Sequence, residues 1–185
     1  MRDDYAVVLD FLPKGQSNWK KPEPIAQCLG EKYFALLEVV PRDGVVLKNG
    51  EKVYIGDGER KEVERIKRRI SEKELTTFAR NELPFIVEKI VKENEARFVG
   101  FMNTAQPLST RVHQLELLPG IGKKHMWDII GERKKGPFKS FEDLRARVKL
   151  LPEPVATFQK RILQEIENEN ERFRLFAIGP PRQEF

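Results

Sequence analysis

The stretch LELLPGIGKKHMWDII, residues 115–130, restricts the possible folds of this chain more than any other. Apolar residues at helical spacing run up to Leu118 and resume after Gly122, with Pro119, Gly120 and Gly122 between them. Inside a helix a Gly costs about 1 kcal/mol and a Pro about 3 kcal/mol relative to Ala, so one continuous helix is excluded. The pattern predicts a helix from Ser109 to Leu118, with Val112, Leu115 and Leu118 inward. A tight turn then leads to a second helix from Lys123 to Lys135, with Met126, Trp127 and Ile130 inward.

Such a turn has a chemical use. The first N–H groups of a helix have no partner within it, and the aligned peptide dipoles add roughly half a positive charge there. An anion at that end meets donors already aimed at it. Gly120 and Gly122 leave the backbone bare, Ile121 and Leu118 anchor the bend, and Lys123 and Lys124 add mobile charge. The charge distribution agrees. The net charge is +5, and residues 106–151 hold ten Lys and Arg against five acids, so this window carries the whole excess. Arg111, Lys134, Lys135 and Lys139 lie in it and extend the basic surface. A polyanionic partner is the expectation.

Before residue 70 the periodicity is that of strands. Tyr5–Leu12, Phe34–Val40, Val45–Lys48, Lys52–Ile55 and Glu62–Ile70 are apolar or alternating runs bounded by turns, with Asn49-Gly50 marking a hairpin. Five short strands predict a small barrel of the oligonucleotide/oligosaccharide-binding (OB) type, with an SH3-like barrel as the alternative. Residues 13–32, which include Trp19, a core candidate, are expected as a long loop with one short element. In the run Arg65-Ile66-Lys67-Arg68-Arg69, strict alternation puts Arg65, Lys67 and Arg69 on one face, able to track a phosphate backbone. Tyr54 points away from the core and is a candidate to stack a base. From Ser71 the period becomes helical. Ser71 and Glu74 form a capping box, Pro84 opens a further helix, and Phe98–Met102 reads as a short strand. Ser140 and Pro154 begin two more helices, and Arg172–Phe176 reads as a weak strand. Leu117-Leu118-Pro119 recurs as Leu150-Leu151-Pro152, a degenerate second hairpin with Glu153 and Pro154 in place of glycines.

The division expected is an α+β chain. It has an N-terminal five-stranded OB-like β-barrel (1–70), connector helices (71–105), a C-terminal all-α helix-hairpin-helix domain (106–178) and a tail (179–185). Residues 110–135 resemble the helix-hairpin-helix motif of DNA-repair, recombination and RNA-associated proteins. That resemblance implies sequence-independent phosphate contacts at Gly120, Ile121, Gly122, Lys123 and Lys124. It also implies a monovalent cation, K+ or Na+, on the carbonyls of Glu116, Leu118 and Ile121. The whole chain is similar to an uncharacterised archaeal family of predicted nucleic-acid-binding proteins, in which stretches like ERIKRRIS and LHQLELLPGIGKKHMW recur; here the latter reads VHQLELLPGIGKKHMW.

Catalysis is not expected. Glu132-Arg133-Lys134 lacks the acidic partners of two-metal cleavage, Asp3-Asp4 and Asp57/Glu59 read as solvated pairs, and His113 and His125 lack a nucleophile pattern. One cysteine, Cys28, fits a reducing cytoplasm, and no run is apolar enough for a membrane helix. The expected function is binding of an RNA or DNA backbone, RNA favoured, without a catalytic cofactor. The alternative is a protein–protein adaptor of a translation, RNA-processing or repair complex, using its basic surface or barrel for an acidic partner.

Overall fold

The computed structural model describes residues 2–16 and 22–181, so the expectation for Trp19 lies outside the described residues. The chain is α+β, with a curled five-stranded antiparallel sheet, a half-barrel, and five α-helices among the described residues. It divides into two compact units, residues 1–86 with 164–185 and residues 87–163.

In the first unit β1 (Tyr5–Leu12), β2 (Ile25–Gly30), β3 (Leu36–Pro41), β4 (Lys52–Tyr54) and β5 (Val63–Arg69) lie in the order β4-β1-β2-β3-β5. Four of them fall on predicted runs. β2 is the one short element expected within the loop at 13–32; all six of its residues are buried, and a strand covered on both faces shows no alternation. Conversely, Val45–Lys48 forms no strand. The Asn49-Gly50 turn exists, with Gly50 at φ +79°, but the chain before it stays irregular with Leu47 buried in the core, and β4 pairs with β1 instead. Gln27 and Glu38, buried polar residues in the sheet, are both satisfied. The Gln27 side chain donates to the Glu74 carbonyl at 3.0 Å and accepts the Thr76 N–H at 2.8 Å. Glu38 accepts from Arg68 at 2.8 Å and Gln16 at 2.6 Å.

The β3–β5 register interrupts the strict alternation behind the common face expected for Arg65, Lys67 and Arg69. Val63 pairs with Pro41 and Arg65 with Val40, then Ile66 with Val39 and Arg68 with Glu38, so Glu64 and Lys67 are extra residues at two bulges. Each bulge resets the alternation. Arg69 stands opposite Leu37 and Arg65 opposite Val40, yet Arg65 and Lys67 share the Glu23 carboxylate and Arg65 and Arg69 line one cavity.

Glu74 accepts the Ser71 N–H at 2.8 Å, but this capping box closes only a 3₁₀ turn, Glu72–Glu74. Helix α1 (Thr77–Glu93) starts later, where the Thr76 hydroxyl accepts the Ala79 N–H at 3.0 Å. It runs through Pro84 rather than breaking there. The Pro forfeits one backbone donor, while Leu83, Val87, Ile90 and Val91 bury a single apolar stripe on both sides of it. Near the C-terminus, Arg172–Phe176 is irregular instead of a strand. The buried Glu165 carboxylate accepts the N–H groups of Leu175, Phe176 and Ala177 at 2.7–2.9 Å and replaces a ladder.

In the second unit the expected strand at Phe98–Met102 is part of helix α2 (Glu95–Thr104), whose Phe98, Val99 and Met102 are buried at helical spacing. Phe158 centres the core, its ring 4.9 Å from that of Phe98 and 5.9 Å from that of Phe141. The helix expected over Ser109–Leu118 shrinks to one 3₁₀ turn, Gln114–Leu117, because the chain before it folds into a loop pairing Pro107 with His113. Helices α3 (Lys123–Lys135), α4 (Phe141–Arg147) and α5 (Pro154–Glu167) begin where the sequence places them. Trp127 does not follow expectation: Met126 and Ile129 form the inward pair of α3, and Trp127 is 64% exposed. Among the described residues no helix is long and apolar enough to cross a membrane.

Candidate nucleic-acid interface

The hairpin turn has the features its sequence implies. Leu118 and Ile121 are buried while Gly120, Gly122, Lys123 and Lys124 are exposed. The Ile121 N–H closes the bend on the Leu118 carbonyl at 3.1 Å, and the Gly122 carbonyl accepts the first helical bond, from Met126 at 3.0 Å. Gly122 is the N-cap of α3 and no side chain caps it. Among the described residues nothing accepts from the amides of Gly122, Lys123, Lys124 and His125. Gly120 is required by the backbone: its φ is +81°, and a Cβ there would sit 3.0 Å from the Pro152 Cγ.

The second turn answers the same need differently. Because α5 begins at Pro154, Glu153 occupies the N-cap position that Gly122 holds in the first turn. Its carboxylate accepts the Ala156 N–H at 2.7 Å, and its carbonyl accepts from Thr157 at 3.0 Å. An internal anion therefore sits where an external one would. Pro152, from the same turn, packs beside Gly120. The echo found in the sequence is a support for the first hairpin, closed to ligand by its own side chain.

The base of the hairpin is tied to its unit by polar contacts. Arg133 donates to the carbonyls of Met102 at 3.1 Å and Ala105 at 3.0 Å, which holds α3 against the end of α2. His113 is buried as the N-cap of the 3₁₀ turn, its Nδ1 accepting the Leu115 N–H at 3.1 Å. Burial, with the Arg133 charge behind it, holds the imidazole below its ordinary pKa and so keeps it neutral. Glu132 is held below the usual carboxylate range, first by its bond from Lys135 and also by Arg147. Asp143 is likewise lowered, first by the Lys139 N–H and then by Arg147. These acids are structural partners of basic side chains.

Arg111, Lys134, Lys135 and Lys139 are exposed, as a solvated basic surface requires. Lys134 lies eleven residues beyond Lys123, roughly 16 Å along the axis. It and Lys135 can meet only phosphates several steps from one held at the turn. Of the three carbonyls implied for a monovalent cation, that of Leu118 already accepts the Ile121 N–H, while those of Glu116 and Ile121 accept no hydrogen bond among the described residues.

On the sheet unit the expected residues divide. Arg65 and Lys67 both bond Glu23, Lys67 at 2.6 Å, and that carboxylate is lowered mainly by the Lys67 contact. Their charge is largely spent within the protein. Arg69 donates one guanidinium N–H to the Gly179 carbonyl, and its buried Nε has no partner among the described residues. It lines a cavity of about 430 Å³ with Arg2, Arg60 and Arg65 over Leu37 and Ile55. Tyr54 points away from the core but is engaged: its ring meets that of Tyr5 edge to face at 5.3 Å, and its hydroxyl accepts the Gly58 N–H at 3.0 Å.

Three features of the interface escaped the sequence: the outward Trp127, the self-capping Glu153 and the Glu23 clamp. Helix phase alone signals the first, since pairing Met126 with Ile129 turns Trp127 out.

Residues 2–178 match the family model DUF655, described as a protein of unknown function. The chain is 43% identical over 176 residues to the uncharacterized protein MJ0038 of Methanocaldococcus jannaschii, over 95% of this chain and 80% of that protein. It is 48% identical to Af1531 from Archaeoglobus fulgidus, whose crystal structure matches with a TM-score of 0.85 over 95% of this chain and 100% of that one. Both relatives are archaeal, as the whole-chain resemblance implies.

Proposed function

The chain belongs to the DUF655 family, and we propose that it is a nucleic-acid-binding protein that grips backbone phosphate at residues 119–124, without catalysis. One observation carries this reading: among the described residues nothing accepts from the amides of Gly122, Lys123, Lys124 and His125, at a turn where Gly120, Gly122, Lys123 and Lys124 are exposed. Amides and lysines contact phosphate and sugar, so binding is largely independent of base sequence. In this reading residues 106–178 are a helix-hairpin-helix domain with one working hairpin, and residues 1–70 an OB-like barrel. An OB-like barrel suits unpaired bases, which supports RNA ahead of DNA.

The adaptor is a second reading, favoured by Phe78 and Phe85, 47% and 66% exposed and one above the other on α1. Fluorescence anisotropy with labelled 20-nucleotide RNA and DNA strands separates the two. Two to four neutralised phosphates give a slope of log affinity against log salt of roughly −1.4 to −3.6. Absence of binding at low salt, or a flat slope, refutes the phosphate reading.

A further inference from the structure

The solvent face of α3 carries more than charge. At 3.6 residues per turn, Lys123, Trp127 and Lys134 fall within about 40° of one another, and Lys124, Gly131 and Lys135 within about 120° of Lys123. All six are exposed. The face therefore reads, from the hairpin outward, as two lysines, an indole, a bare glycine and two more lysines. Two of its members have no structural explanation. Trp127 leaves 64% of its surface in water although Met126 and Ile129 complete the inward face. Gly131 lowers helix propensity in mid-helix, yet its φ is not positive and a Cβ there would meet nothing within 4 Å. The fold asks for neither. A flat ligand seated on the indole and approaching the backbone at Gly131 asks for both.

We infer that Trp127 is a stacking platform for one unpaired nucleobase, so that the hairpin's ligand is a single strand or a loop rather than uninterrupted duplex. The inference rests on the phosphate reading of the hairpin and names its substrate class. Side chains on a helix lean toward its N-terminus, so the indole leans back over Lys123 and Lys124, toward the amides expected to hold phosphate. The nucleotide bound there presents its own base to the ring only if that base is free of a partner strand. Stacking accepts any base, which suits a site that reads backbone. Lysines at both ends of the face exclude an acid-poor apolar partner as the better match, and a nucleotide supplies both aromatic face and negative charge.

The test uses the full chain with two probes, a labelled 12-nucleotide mixed-sequence RNA and the duplex it forms with its complement. Trp127→Ala, at an exposed site, is expected to weaken single-strand binding roughly 5- to 150-fold, the range found when a stacking aromatic is removed. Duplex binding is expected to change less than twofold, and Trp127→Phe to recover most of the loss. Gly131→Leu is expected to weaken the single strand at least fivefold while raising the melting temperature. In a Trp19→Phe background Trp127 is the one remaining indole, and its emission is expected to fall on adding the single strand. Equal effects of Trp127→Ala on both probes, or none on either, overturn the platform, as does unquenched emission at saturation. Gly122→Asp keeps the two ideas apart. If it removes all binding while Trp127→Ala changes nothing, the hairpin stands and the platform falls; if it leaves both probes bound, the hairpin reading itself fails.

Discussion

Gly122→Asp is the substitution that most sharply separates fold from ligand in this protein. Gly122 has φ −92° and ψ −171°, ordinary N-cap geometry, and open space around its missing Cβ. An Asp there is expected to accept the α3 amides, as Glu153 does at the start of α5. Asp exceeds Gly as an N-cap by a few tenths of a kcal/mol, and removing a glycine stiffens the unfolded chain by about 0.4–1 kcal/mol. Stability is therefore expected to rise by about 1 kcal/mol, a melting shift of roughly +2 to +4 °C for a chain of this length. Binding is expected to move the other way. A phosphate displaced from two amides loses two charge-assisted hydrogen bonds of about 1.5–3 kcal/mol each, which is at least ~100-fold in Kd. Anisotropy at 50–100 mM salt and scanning calorimetry read the two effects separately. Gly122→Asn distinguishes occupancy of the amides from charge, and should weaken binding less. A Gly122→Asp protein that melts higher and binds within threefold of the wild type refutes the assignment of those amides to the ligand.

Lys123→Ala and Lys124→Ala are each expected to flatten the salt dependence by roughly 0.7–0.9 if each side chain neutralises one phosphate, measured by the same titration. Gly120→Ala is expected to lose about 1–2 kcal/mol of stability, visible as a lower melting temperature, because φ +81° and the Pro152 contact both oppose a Cβ. The folded His113 binds its proton less readily than the unfolded one, so its stabilising effect is full above the unfolded value near 6.5 and is lost as pH falls toward the folded value. Melting temperature should drop between pH 7 and pH 5.5, and His113→Asn, which keeps an N-cap acceptor without the titration, should flatten the drop. Cys28 is fully buried and burial pushes its thiol up, so a thiol reagent should label it only at the rate at which the sheet unit opens.

Local signals and long-range placement were not equally readable from the residues. The starts of α3, α4 and α5 were legible because caps and breakers act within four residues: Gly122, Ser140 and Pro154 each define their helix locally. The hairpin's exposure pattern was legible for the same reason, since Leu118 and Ile121 are the apolar members of the turn. β2 was not legible as a strand, because burial on both faces erases the alternation that identifies one. Nor were the bulges at Glu64 and Lys67, because they exist only through pairing with β3. The continuity of α1 through Pro84 depended on an apolar stripe longer than the local cost of proline. Trp127 was misplaced through a helix phase that its neighbours Met126 and Ile129 could have corrected. In the sequence Glu153 reads as a lost glycine, and in the structure it fills the slot that Gly122 leaves open.

The central claim is most directly tested by amide-resolved NMR of the labelled full chain titrated with the 12-nucleotide RNA. The largest shifts are expected on the backbone amides from Gly120 to His125, ahead of any change on β5. Largest shifts on Arg65–Arg69, with the Gly122, Lys123 and Lys124 amides unmoved at saturation, contradict it.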